Sequence, residues 1–202
     1  MSRAAPSKHA LNIIDRPIAR NKLDIPTVSL SAFAYLFSEL ISYAMDRAAS
    51  ITELEDRLDR VGYDVGCRML ELLSYREKAT RRKPEILDML KHIHSAAWPY
   101  MFGKTADDLQ QANAADDEYM ISDNDLLLGR FISIPKSYSS FVPGSLVAGI
   151  VRGMLDSAGF PARVSAHFVE QPSSSKPTTT ILIKFDASVM QRQAALDAAK
   201  RG

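Results

Sequence analysis

The stretch Leu30-Ser-Ala-Phe-Ala-Tyr-Leu-Phe-Ser-Glu-Leu-Ile-Ser-Tyr-Ala-Met45 holds no proline or glycine, and its apolar residues return every third or fourth position. That is the helical period, and the pattern predicts a helix from Leu30 to about Ala48. On a wheel at 100° per residue, Tyr43, Leu36, Leu40, Phe33, Phe37, Leu30, Ile41 and Met45 fill an arc of about 200°. Ser31, Ser38, Ser42, Glu39 and Asp46 crowd the other side. A surface helix needs an apolar stripe only about 100° wide. Removing eight such side chains from water is worth on the order of 12–24 kcal/mol gross, so leaving half of them wet is costly. The excess predicts a second cover, most simply another subunit. The same arc also fits a helix enclosed at the centre of its own fold.

Outward from this helix, residues 1–28 read as a flexible N-terminal tail and 29–200 as a single domain. Pro6, Pro17 and Pro26 interrupt the tail, and five basic residues there face two acids. A second helix opens at Ser50-Ile-Thr-Glu53, a capping box in which each side chain can satisfy the other's orphan amide. Its apolar face carries Ile51, Leu54, Leu58, Val61, Val65, Met69 and Leu72, and Gly62 and Gly66 allow close backbone approach to another helix. A third helix begins near Pro84 and ends at Gly103.

The period then changes. Tyr119–Ile121 and Arg130–Pro135 read as short strands, and Arg163–Glu170 and Thr179–Phe185 alternate as two more. Pro143–Ala158 is a fourth helix, with Gly159 where a left-handed cap belongs and Pro161 blocking continuation. Gln171–Thr178 reads as a long hairpin loop and Ala187–Lys200 as a last short helix. The expected class is α+β: three N-terminal helices, a small four-stranded antiparallel sheet, and a fourth long helix packed on it.

Composition narrows the function. The 202 residues hold 25 Lys plus Arg against 24 Asp plus Glu, so no overall field draws the chain to nucleic acid or to an anionic membrane. The single cysteine excludes disulfide frameworks and cysteine-clustered zinc sites, and fits a reducing compartment. No apolar run approaches the roughly 18 residues of a membrane span, and Met1–Lys22 lacks the apolar stretch of a signal peptide. The reading is a soluble intracellular protein.

Candidate chemistry fails test by test. Gly103-Lys104-Thr105 imitates the end of a phosphate-binding loop, but Trp98 stands where the first glycine is required. Asp123-Asn124-Asp125 imitates a calcium loop, but Leu127 and Leu128 occupy the ligand and turn-glycine positions. Ser133-Ile-Pro-Lys136 lacks its companion motifs. His92 and His94 point about 200° apart on a helix and cannot share a metal, whereas Asp88 and His92 can form a surface pair. Cys67 has apolar neighbours one turn away and reads as a small packed residue. No catalytic residue, metal site or cofactor is predicted.

Two charge clusters remain. Arg76, Lys78, Arg81, Arg82 and Lys83 face only Glu77, and residues 105–129 hold seven acids with no Lys or Arg. Each reads first as a solvated loop. Functionally, the first fits a membrane, subunit or GTPase contact and the second a basic partner surface.

Ser29–Leu40, Val61–Leu70, Phe102–Asn113, Phe131–Lys136, Leu146–Val151 and Gly159–Ala162 together resemble the subunit-5 family of the TRAPP (transport protein particle) vesicle-tethering complex, in the Bet-three-like superfamily. The likeness runs in order from about Asp24 to Ala195. It implies an α/β plait whose first two helices pair with a Bet-three-type sister subunit. It implies further TRAPP partners, and a complex that exchanges nucleotide on a Rab-one-type GTPase in ER-to-Golgi transport. The place implied is cytoplasmic and peripheral, at early Golgi and ER–Golgi membranes. Bet-three itself carries an acyl chain on a cysteine just after its second helix. Lys78–Pro84 has none here, so acylation is not expected.

The leading expectation is therefore a non-enzymatic scaffold whose partner interface comprises Leu30, Phe33, Phe37, Leu40, Ile41, Leu54, Leu58, Val61 and Val65. The alternative is a small-molecule or lipid-binding module with a cavity between the third helix and the sheet, near Trp98 and Phe102.

Overall fold

The computed structural model describes residues 29–78, 82–112, 115–170 and 177–201. The tail of residues 1–28, Arg81 and residues 171–176 of the expected hairpin loop lie outside them.

Helix α1 (Leu30–Met45) starts where the Ser29 hydroxyl accepts the Ala32 amide at 3.2 Å. Helix α2 (Ile51–Arg76) starts at the expected box, with the Glu53 amide donating to the Ser50 hydroxyl. The Glu53 carboxylate reaches one residue further back than expected and accepts the Ala49 amide at 2.9 Å. The third helical stretch is α3 (Ile86–His92), a wide turn (Ile93–Ala97) and α4 (Trp98–Phe102). Pro99 explains the wide turn: it lacks an amide proton and its ring crowds the preceding carbonyls. The ladder relaxes there so that the Trp98 amide reaches Ile93, five residues back. Gly103 then ends the run in the left-handed conformation.

Helix α5 (Ser145–Ser157) is the centre of the molecule, with ten of its 13 residues buried. The face it shares with α2 explains how two helix backbones come so near. Gly62 and Gly66 of α2 meet the backbone of Leu146 and Ile150, while Gly149 and Gly153 of α5 meet the backbone of Asp59 and Tyr63. The small-residue spacing on α2 thus serves an internal helix pair. Two interactions pin the crossing: Arg152 to Asp59 at 2.5 Å, and a Tyr63 hydroxyl–Asp156 carboxylate hydrogen bond. After α5, the Phe160 amide returns to Leu155 and the Gly159 amide to Asp156, with Gly159 at φ +81°, a Schellman ending.

The other side of α5 lies on a four-stranded antiparallel sheet of order β1-β2-β4-β3. Its strands are β1 (Asp108–Gln111), β2 (Glu118–Asp123), β3 (Ala162–Val169) and β4 (Thr178–Phe185). Paired residues share a face, and Ile121↔Ile181 with Val164↔Ile183 supply the buried one. Helix α6 (Ala187–Arg201) turns back onto α3, where the Gln193 side-chain oxygen accepts the Ile86 amide.

Two strand expectations need correction. Arg130–Pro135 is not a strand: the chain makes tight turns at Leu127–Phe131 and Lys136–Tyr138. Both edges of β2 are already taken, by β1 and by β4, so the alternating Phe131–Ile134 run has no central strand to join. The fourth strand is instead the polar Asp108-Leu-Gln-Gln111, an edge strand that half-buries only Leu109. Thr178 also belongs to β4, buried, with its hydroxyl on the Asn124 side chain at 2.7 Å.

Candidate partner interface

The α1 wheel resolves into a seat and two overhangs. Phe37 and Ala44 point into the core, and Phe33, Leu40 and Ile41 are half-buried beside them. Leu36 and Tyr43 overhang one flank and Met45 the other, all exposed, with Leu36 at 69%. Leu30 is exposed at the helix start. On α2, Val61 and Val65 are exposed while Leu54, Leu58, Met69 and Leu73 turn inward. The split follows from α5, which takes up the glycine face of α2 and leaves its neighbouring valines uncovered.

An open apolar groove of about 340 Å³ lies between the two helices, lined by Phe33, Leu36, Leu40, Val61, Val65 and Phe102 among others. A second groove, of about 250 Å³, runs under the opposite flank of α1 beside Ile41, Met45, Phe131, Ile134 and Tyr138. An exposed greasy surface of this kind, continuous over two helices, is what a protein contact covers.

Three of the expected interface residues are corrected. Phe37, Leu54 and Leu58 are 2%, 1% and 0% exposed, so the chain's own core already holds them. Leu30, Phe33, Leu40, Ile41, Val61 and Val65 retain surface, and Leu36 and Tyr43 join them. Tyr35, at 78% the most exposed large apolar residue among the described ones, sits among the serines and acids of the wheel, and hydrophobic period carries no signal for it.

The described members of the basic cluster are dispersed. The Arg76 guanidinium hydrogen-bonds the Tyr100 hydroxyl and lies over its ring. Arg82 donates to the Ala158 carbonyl at the end of α5, beside Arg192 on the Gly159 carbonyl. Those two guanidiniums meet the carbonyls just past the last turn of α5 and match its negative end. Lys83 is half-buried near His92, and Lys78 is exposed at φ 52°.

Three cations outside the acidic segment pair with five of its seven acids. Lys104 binds Asp123 at 2.6 Å and Asp107 at 3.4 Å; Arg130 binds Asp125; Lys184 binds Glu118 and Asp117. Burial lowers the Lys104 pKa, but its hydrogen bonds and charge pairing with Asp123 and Asp107 outweigh that, and the net shift is upward.

His92 is buried and faces Glu77 at 3.8 Å, so the expected surface pair with Asp88 is corrected. Burial, then Lys83, hold its pKa below the usual histidine range against the pull of Glu77. Cys67 is half-buried with its sulfur 3.6 Å from the Gly153 carbonyl. Trp98 is fully buried under its indole bond to Asp123, and Phe102 lines the α1–α2 groove. No cluster of potential metal ligands occurs among the described residues, and no helix among them is long and apolar enough to cross a membrane.

Comparison with known proteins places this architecture. Residues 33–186 match the family model described as transport protein particle (TRAPP) component. The chain is 48% identical over 188 residues to trafficking protein particle complex subunit 5 of Dictyostelium discoideum, covering 93% of this chain and all of that one. It is 40% identical to the human protein of the same name, covering 92% and 93%. Among solved structures, trafficking protein particle complex subunit 3 of Naegleria fowleri, covalently bound to palmitic acid, superposes with a TM-score of 0.64. That match covers 78% of this chain and 95% of the other at 16% identity, a likeness of fold. The chain belongs to the transport protein particle (TRAPP) component family.

Proposed function

We propose that this chain is a non-enzymatic core subunit that heterodimerises with a Bet-three-type subunit through the outer face of α1 and α2. In that assembly it supports exchange on a Rab-one-type GTPase in ER-to-Golgi transport, peripherally at early Golgi membranes. The observation that carries the reading is the uncovered apolar face of Leu30, Leu36, Tyr43, Val61 and Val65 around an open groove. Standard interfaces bury roughly 800 Å² per partner, and six large residues of this apolar face stand exposed: Leu30, Leu36, Tyr43, Met45, Val61 and Val65. The shared core around α5 supports treating 29–200 as one domain.

Co-expression followed by light scattering tests it. A 1:1 species with the Bet-three-type subunit, and self-association of the chain alone, are expected. A lone monomer that ignores the partner refutes the reading.

The second reading, a lipid or small-molecule module, draws on the same groove, whose 340 Å³ is at the lower end of ligand sites. Native mass spectrometry showing a stoichiometric co-purified lipid on the lone chain would favour it. A membrane or GTPase contact through the basic cluster would draw on Lys78, Lys83 and the exposed Arg82, whereas Arg76 is engaged with Tyr100.

A further inference from the structure

We infer that α1 is a latch whose seating the partner completes: in the lone chain it opens as a unit while α2, α5 and the sheet stay folded. This rests on the heterodimer reading above for what closes the latch, but not for its opening.

Four observations carry it. Only Phe37 and Ala44 of the 16 residues of α1 are buried, against ten of 13 in α5. Grooves of about 340 and 250 Å³ undercut both flanks, so the overhanging side chains lack packing partners beneath them. Among the described residues, no side-chain hydrogen bond or ion pair ties residues 30–45 to another element; the Ser42 hydroxyl, for instance, bonds the Ser38 carbonyl of its own helix. Finally, α2 is capped by its own Ser50 and Glu53, so α1 can lift without unravelling the start of α2.

Once lifted, α1 loses the tertiary packing that supplies most of a helix's stability, and at 16 residues it is little longer than helices that are marginal in water, so its amides fray open. Opening therefore costs the contacts of a few side chains, whereas opening α5 dismantles the core. Segments with so few buried contacts exchange their amides through local opening, ahead of global unfolding.

Hydrogen exchange by mass spectrometry on the full chain, alone and in the co-expressed complex, tests this. Alone, α1 amides should exchange about 100-fold or more faster than those of α5. In the complex they should slow to within about tenfold of α5. Ser42→Leu, which places an apolar side chain in the second groove, should slow α1 exchange in the lone chain about tenfold. Where self-association obscures the lone chain, Leu36→Ser trims the exposed flank and the same comparison is read on that variant.

Equal protection of α1 and α5 in the lone chain overturns the inference, whatever the partner does. Unchanged exchange in Ser42→Leu overturns the grooves as its cause. Failure of any complex to form, with α1 still labile alone, refutes the partner reading and leaves the opening standing.

Discussion

Gly149 lies so close to Asp59 that a β-carbon built on it would sit 2.0 Å from the Asp59 carbonyl oxygen. The contact is backbone to backbone, where α5 crosses α2, so neither side can yield by changing a rotamer. Gly149→Ala should therefore cost about 3 kcal/mol or more, the upper end for overpacked cores. Gly129→Ala meets nothing within 4 Å and should change stability by less than about 0.5 kcal/mol. Chemical denaturation of both variants measures the difference. Equal effects would mean the helices do not meet here.

Leu36 and Phe37 are chain neighbours with opposite duties. Phe37→Asp puts an unpaired carboxylate into the core and should unfold the chain, costing about 4 kcal/mol or more. Leu36→Asp alters an exposed position and should leave stability within about 0.5 kcal/mol while abolishing co-elution with the partner. Circular dichroism and size exclusion on the two variants separate folding from assembly. A Leu36→Asp chain that still assembles would move the contact off this face.

Asp123 is 1% exposed and accepts from Trp98 Nε1 at 2.9 Å, Lys104 Nζ at 2.6 Å and the Asp125 amide at 2.9 Å. Asp123→Ala leaves the buried indole N–H without its acceptor and should cost about 2–3 kcal/mol. Lys104→Met should cost less, about 1 kcal/mol, because that ammonium is a third exposed and solvent screens its pairing. Urea unfolding followed by the fluorescence of Trp98 measures both. A larger loss from Lys104→Met would assign the network's stability to the ion pair.

The buried His92 makes stability depend on pH. Its folded pKa lies below the unfolded value of about 6.5, chiefly through burial, so the unfolded chain binds the proton more readily. The stabilisation is complete above pH 6.5 and is lost as pH falls below that value towards the depressed folded pKa. Thermal melts between pH 7 and 5 should show a fall in Tm that His92→Gln reduces. An unchanged slope in that variant would assign the acid sensitivity to other groups.

Much of this molecule was legible before its coordinates. Local chemistry announces itself locally: Ser50 and Glu53 cap a helix wherever they stand, and Gly159 before Pro161 ends one. Alternation found β3 and β4 because each lays one face on α5, and the same rule misread Phe131–Ile134, which alternates but pairs with no strand. It also missed β1, whose polar edge residues carry almost no period. The excess width of the α1 arc was correct, but which end of the arc stays outside was not a local property. That depended on α5, which claims the glycine face of α2, while Leu54, Leu58 and Phe37 are buried in the core.

By itself, then, the sequence determined the class of fold, the helix ends and the surplus of apolar surface on the first two helices. Only tertiary structure decided where that surplus lies, that the four glycines serve an internal crossing, and which charges of each cluster find partners within the chain. The reason is physical: period and capping are set by neighbours along the chain, whereas exposure is a competition among elements distant in sequence for the same limited cover.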